Sequence, residues 1–576
     1  MKKEKGFKRI LGGCLFGLCL LFAFSAKSQQ IRLDNLKEQF SVKNLVRVNG
    51  GIAANSVFYT GDNAARQPFM WVLTGNINIH LLNQFNIPFS YNLNNLGSNY
   101  TYPTLPNRLS LHPTYKWVTA HVGDVSMSFS PYTLSGHQFT GGGVELKPGN
   151  FPLKAQFMCG RLLKETEYDA RNGGIVAYRR LGYGGGIRYE KENYQLGTTL
   201  FHAHDDENSL LWKPDSLQVY PQSNLAFSWD VLLRLFSGMT LKAEYGMSIL
   251  TRDRRLPSGK RSNSLWFLEK NASSVYYHAL KVNLDFLWKK NTFGLGYERV
   301  DPDYRSLGGY YFTNDLENFT FNYARPFWQD KITLALNLGI QRDNLDHTKR
   351  EQTSRWVVAG NLNIVPNEQW NVSVAYSGFQ SYTNIRSQFD YINATHQYEN
   401  LDTLDFTQLS QNLSMTVNYT VSENDRKSQN LNLAFSFQEA ADKRGGMIHP
   451  GSVSRFYNGS VSYALLFLPS SVRVTLSANT TYNTAGSGDM LTYGPNAGVS
   501  SKFFDKKVSA GISSSYNISS VDGKVKGKVL NVRGSSAWRF LKKHSTNLSL
   551  VYQNRSGTSG RSSSDFTTTL NYTYSF

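Results

Sequence analysis

Cysteine is almost absent. Only three of 576 residues are Cys, and two of them, Cys14 and Cys19, fall within the first 28. With that segment removed, Cys159 stands alone, so no intrachain disulfide can hold the fold. Proline is sparse at 17 residues, and no Pro- or Ser-rich linker divides the chain into domains. Nothing after residue 24 is apolar enough for a membrane-spanning helix. Catalytic signatures are missing as well. There is no Gly-x-Ser-x-Gly elbow, no His-Glu-x-x-His, no phosphate loop ending Gly-Lys-Ser/Thr and no paired cysteines. These absences predict a chain that is not an enzyme, with no catalytic residues and no cofactor. A hydrolase with Ser, His and Asp on a rim is the lesser alternative, because such sites are set by geometry and not by spacing.

What is present begins with a leader. Lys2, Lys3, Lys5, Lys8 and Arg9 precede an apolar run from Ile10 to Phe24, and Ser25-Ala-Lys-Ser28 follows. A basic, then apolar, then small-residue layout predicts a secretory signal peptide over 1–28. The run of about fifteen residues is too short for a span, which needs about twenty. Cleavage would lower the formal charge from +19 to +14 by removing six basic residues and one acidic one.

Aromatics make up 14% of residues, with Tyr and Phe dominant. The last eleven residues show how they are used. Phe566, Leu570, Tyr572, Tyr574 and Phe576 alternate with Thr567, Thr569, Asn571, Thr573 and Ser575. A period of two puts the apolar side chains on one face of a strand and the polar ones on the other. The pattern recurs at Leu280–Trp288, Ile332–Ile340, Tyr457–Phe467, Val472–Tyr482 and Val508–Ile518, resetting at polar turns. Tight turns such as Trp288-Lys-Lys-Asn291, Phe504-Asp-Lys-Lys507 and Leu541-Lys-Lys-His544 alternate with long polar stretches at 205–222, 252–273, 381–406 and 439–452. Short turns at one end and long loops at the other predict an all-β fold. The fold class expected is a single large antiparallel transmembrane β-barrel of about 26 strands (range 22–26). Trp117, Trp288, Trp328, Trp370 and Trp538 lie at or near tight turns, where an interfacial girdle belongs. The domain expectation is a signal peptide (1–28), a short periplasmic or plug segment (29–44) and the barrel (45–576).

The terminal aromatic strand resembles the C-terminal signature of Gram-negative outer-membrane proteins. That resemblance implies that Phe566, Leu570, Tyr572, Tyr574 and Phe576 form a membrane-insertion signal read by the barrel-assembly machinery. Gly123-Asp124, Phe129-Ser-Pro-Tyr-Thr-Leu-Ser-Gly136 and Thr140–Gly149 resemble a stretch of Bacteroidota outer-membrane barrels. This segment departs from clean alternation, and Pro131 with its glycines predicts a bent strand or a loop turned into the lumen. Gly141-Gly-Gly143 and Gly184-Gly-Gly186 read as bends or close backbone approaches.

Two polar clusters stand out. His202, His204, Asp205 and Asp206 could hold a divalent cation, with a solvated acidic loop as the plainer alternative. Arg252, Arg254, Arg255, Lys260 and Arg261 fall in a long loop and could contact lipopolysaccharide or another anion. The compartment makes nucleic acid an implausible partner, whereas outer-membrane lipid is an expected one.

A barrel this wide leaks unless something fills it. Inward loops, the N-terminal segment or a partner protein are the options. Residues 29–44 are too short for the plug domain of a TonB-dependent transporter, so that resemblance fails. Lumen-side positions such as Thr333, Asn337, Gln341, Arg473, Thr475, Ser477 and Asn479 are hydrophilic. The expectation is an outer-membrane barrel serving as a plugged or gated pore for a solute or polypeptide. The alternative is a platform that binds a partner protein without transport.

Overall fold

Alternation at period two becomes strand after strand. The computed structural model describes residues 46–62, 67–82, 84–95, 108–149, 151–168, 176–211, 219–257, 271–309, 312–348, 354–378, 381–384, 405–440, 443–444, 447–448, 453–485, 488–557 and 562–576. The expected signal peptide and N-terminal segment lie outside these residues, as do Lys260, Arg261 and most of the long stretch 381–406.

One sheet contains 28 strand segments, all of them paired antiparallel. Two staves are each built from two segments. Arg108–Leu111 and Thr114–Tyr115 both pair with Phe85–Asn94 on one side and Val118–Ser126 on the other. Trp370–Ser377 and Ser381–Asn384 share the partner Asp405–Glu423. The result is a closed barrel of 26 strands. Closure occurs where the first strand, Val46–Gly61, pairs with the last, Ser562–Ser575, from Gly51↔Ser575 to Gly61↔Asp565. Phe576 and Gly50 then exchange two backbone hydrogen bonds of 3.0 Å. No edge is left unpaired at this seam.

The register sorts side chains as the alternation requires. On the last strand Phe566 and Leu570 are exposed outside, while Thr567 is fully buried on the inner face. Leu338, Ile340, Leu476, Ile512, Tyr516, Leu550 and Tyr552 continue the outer apolar belt. Facing inward at the same heights are positions filled by Ser, Thr and Asn. The five tryptophans expected at the short-turn end are all exposed there. One short turn depends on glycine. Gly238 has φ 92°, and a Cβ there would lie 2.5 Å from the Leu287 carbonyl oxygen. The long connections leave from the opposite end, and one of them carries a small separate hairpin, Lys443–Arg444 with Met447–Ile448.

Candidate functional site

The inner surface of the barrel is not uniform. On the strands between Val118 and Val300, the inward register carries apolar residues near the long-loop end. Leu196, Leu200 and Tyr276 are exposed outside, whereas their neighbours in the opposite register, Phe201, Ala203, Tyr277 and Ala279, are at most 5% exposed. Strands apolar on both faces need an inner partner as well as an outer one. That partner is a pair of loops turned into the lumen, residues 127–137 and the described parts of 301–315 (301–309 and 312–315).

The two loops form one wedge. Leu134 bridges Gly308 in parallel pairing, and the Ser135 amide donates to the Gly308 carbonyl at 3.0 Å. The Tyr304 hydroxyl donates to the Tyr132 carbonyl at 2.8 Å, and the Ser306 hydroxyl to the Thr133 carbonyl at 2.6 Å. Met127, Phe129, Tyr132, Leu134, Tyr304 and Leu307 join Phe201, Ala203, Leu250, Ala279 and Val300 in a single buried core. Burying side chains of this size contributes about 1.5–3 kcal/mol each. Two glycines mark the closeness of the fit. A Cβ on Gly308 would lie 2.6 Å from Phe201 Cε1, and one on Gly246 would lie 2.6 Å from Tyr132 Cβ.

Polar anchors complete the attachment to the wall, as buried backbone groups demand. The Leu307 amide donates to Asn224 Oδ1 at 3.1 Å, and the Ser248 hydroxyl to the Arg305 carbonyl at 2.6 Å. Thr133, Thr199 and Ser228 hydroxyls form a chain at 3.1 and 2.7 Å. Deeper in the lumen, Ser130 donates to Glu244, and the Tyr132 hydroxyl to Glu298 at 3.1 Å. Burial, then the neighbouring Glu298, pushes the Tyr132 phenol above the ordinary tyrosine range. Burial does the same to Tyr304. Both phenols therefore stay neutral and act as donors.

Below the wedge, the same wall carries charges that cancel. Arg188 pairs with Asp230 at 3.2 Å, Lys242 with Asp285 at 3.1 Å, Lys281 with Glu298 at 3.3 Å, and Lys154 with Glu190. The facing wall differs. A cavity of about 450 Å³ lies there, lined by small uncharged residues, Ser500, Ser509, Ser535, Asn547, Thr569 and Asn571 among others.

The expected metal cluster is not gathered. His202 and His204 share the outer register with Leu196 and Leu200, and their rings lie 5.4 Å apart. His202 packs on Tyr183 at 4.9 Å, and its Nε2 is 3.4 Å from the Ser223 hydroxyl. Asp205 points the other way, where the Arg180 fork holds both its oxygens at 2.7 and 3.1 Å. Asp206 takes Arg179 at 2.5 Å. Among the described residues no group of three His, Cys, Asp or Glu could hold a metal ion.

The expected anion cluster also has internal partners. Arg252 reaches the Tyr277 hydroxyl at 2.9 Å and Asp303 at 3.2 Å. Arg254 lies 3.7 Å from Glu207, and Arg255 is held by both oxygens of Asp253 at 2.9 and 2.8 Å. These arginines tie neighbouring long loops to one another and to the wedge. Of the insertion signal, Phe566 and Leu570 face outward, and Tyr572, Tyr574 and Phe576 follow the same register.

The loop 127–137 was legible as part of an irregular segment, 123–149, that contains Pro131 and several glycines. The loop 301–315 carries comparable punctuation in Pro302 and Gly308-Gly309, but nothing in that string says that it turns into the lumen. The signal for it lay in the wall, where Leu200-Phe201 and Ile249-Leu250 interrupt the alternation with adjacent apolar residues.

No protein-family model matches the chain, and no curated protein matches it. Among solved structures, an outer membrane transporter from Escherichia coli is similar at 8% identity and TM-score 0.37, over 92% of this chain and 81% of that one. A mutant ferric enterobactin receptor from Pseudomonas aeruginosa is similar at 9% identity and TM-score 0.38, over 92% and 81%. The P pilus usher translocation pore is similar at 12% identity and TM-score 0.29, over 92% and 99%. Likenesses this weak carry no argument. The barrel rests on its own register and closure.

Proposed function

We propose that the protein is an integral outer-membrane barrel acting as a conduit, narrowed by a wedge made from its own loops. The observation that carries this reading is the two-sided lumen. One wall is covered by the docked loops 127–137 and 301–315, while the facing wall keeps small polar residues and an open cavity. A hydrophilic wall opposite the wedge suits a water-filled passage. Water tolerates that wall because its hydroxyls and amides replace bulk hydrogen bonds. The exterior belt and the tryptophans at one end fit a bilayer, with the short-turn end facing the periplasm.

The test is single-channel recording of the purified protein in a planar bilayer. The reading expects small currents from the wild type and larger ones from Gly308→Val, whose side chain would collide with Phe201 and the Thr133 carbonyl. Silence from both proteins, together with a stoichiometric co-purifying protein, would favour a platform instead.

A further inference from the structure

We infer that the open half of the lumen is a site for anionic solutes, held at its periplasmic mouth by Arg473, Lys502 and Arg539. The inference deepens the conduit reading by naming its substrate class. It starts from a difference between the two walls. In the wall between Val118 and Val300 the luminal cations are matched by carboxylates, as with Arg188–Asp230, Lys242–Asp285 and Lys281–Glu298. In the wall from Leu316 to Ser575, the inward register of the described strands carries Arg473, Lys502, Arg533, Arg539 and Arg555. Two carboxylates share that register away from Arg473, Lys502 and Arg539: Asp565, at the far end, accepts the Tyr59 hydroxyl at 2.6 Å, and Glu423, opposite Ser428, lies three strands from Arg473.

The inward direction of these cations follows from their neighbours. Leu476 is exposed outside, so Arg473 belongs to the same face as the buried Thr481. Val499 and Phe503 are exposed outside, which places Lys502 inward together with Ser500. Trp538 is exposed outside, which places Arg539 inward with Ser535. Register then brings the cations to the cavity. Arg473 is opposite Ser500, and Lys502 is opposite Ser509, and both serines line the cavity. Arg539 follows Ala537, which also lines it. Arg473, Lys502 and Arg539 have no carboxylate within ion-pair reach among the described residues.

Three unneutralised cations beside a chamber of hydroxyls and amides create a positive potential in a low-dielectric surround. Guanidinium forks and an ammonium suit carboxylate or phosphate oxygens, and rings of Arg and Lys are how pores select anions. Ser509, Ser535, Asn547 and Thr569 would supply the hydrogen bonds a partly dehydrated anion loses. A cavity of about 450 Å³ has room for a small organic anion.

The test pairs two measurements on the full-length protein and on Arg473→Glu/Lys502→Glu/Arg539→Glu. Correct folding of both is checked by their mobility on unheated gels. The first measurement is the reversal potential under a potassium chloride gradient. A potential on the chloride side, changing sign in the triple variant, supports the inference. Current without chloride preference, or an unchanged sign in the variant, overturns it and leaves the conduit standing. The second uses a fluorophore on Ser535→Cys in a Cys159→Ser background, quenched by iodide or by thallium. If no current flows but iodide quenches several-fold better than thallium, and the variant reverses this, the anion site stands and the conduit falls. No current and equal quenching would overturn the anion site as well.

Discussion

Individual side chains set how firmly the wedge is held. Tyr304 is fully buried and donates to the Tyr132 carbonyl, so Tyr304→Phe leaves a buried acceptor without its donor. The expected cost is about 1–3 kcal/mol, read as a lower midpoint in heat-dependent gel mobility. Gly308→Val is expected to cost more than Tyr304→Phe, because a backbone oxygen stands 2.7 Å from the added Cβ.

His137, at the base of the first loop, is 3% exposed, and burial is the main cause lowering its pKa. The folded imidazole therefore binds a proton more weakly than the unfolded one, whose pKa is about 6.5. Its contribution to loop docking is complete above that value and declines as pH falls below it toward the lowered folded value. Conductance at acidic pH should rise relative to neutral pH, and His137→Gln should flatten the response. A profile unchanged by the substitution would remove His137 from the mechanism.

At the scale of the strand, most of the architecture was readable. Period-two alternation gave the outer face, tight turns gave the strand ends, and the count of about 26 agrees with the 26 observed. The same rule should have separated His202 and His204 from Asp205, since adjacent residues on a strand face opposite ways. The wedge was only half legible because its partner loop is distant in sequence. Tyr304 meets Tyr132 across 172 positions, and no local pattern encodes such a contact.

The seam makes its own prediction. Tyr59→Phe removes the 2.6 Å hydrogen bond to Asp565 between the first and last strands. The variant should insert normally but resist urea less well, by roughly 1–3 kcal/mol as judged by loss of the folded gel band. Deleting Phe576 acts at an earlier step. It removes the two backbone bonds to Gly50 and the terminal aromatic, so less protein should reach the outer membrane fraction while export across the inner membrane continues.

For the whole molecule, the decisive question is whether the barrel behaves as one closed membrane-embedded body. The protein extracted in detergent should migrate faster on unheated than on heated gels, and it should remain with the membrane fraction after alkaline washing. Recovery in the soluble fraction would remove the bilayer from the argument.

The wedge also makes the cylinder lopsided. Where the loops are docked the wall is two layers thick, and opposite them it is a single sheet. A tube reinforced along one side bends about the reinforced side, so lateral pressure from the lipid would be taken up by the thinner arc. The cavity and its basic mouth lie on that arc. The width of the passage should therefore respond to bilayer tension and thickness, while the shape of the wedge stays constant.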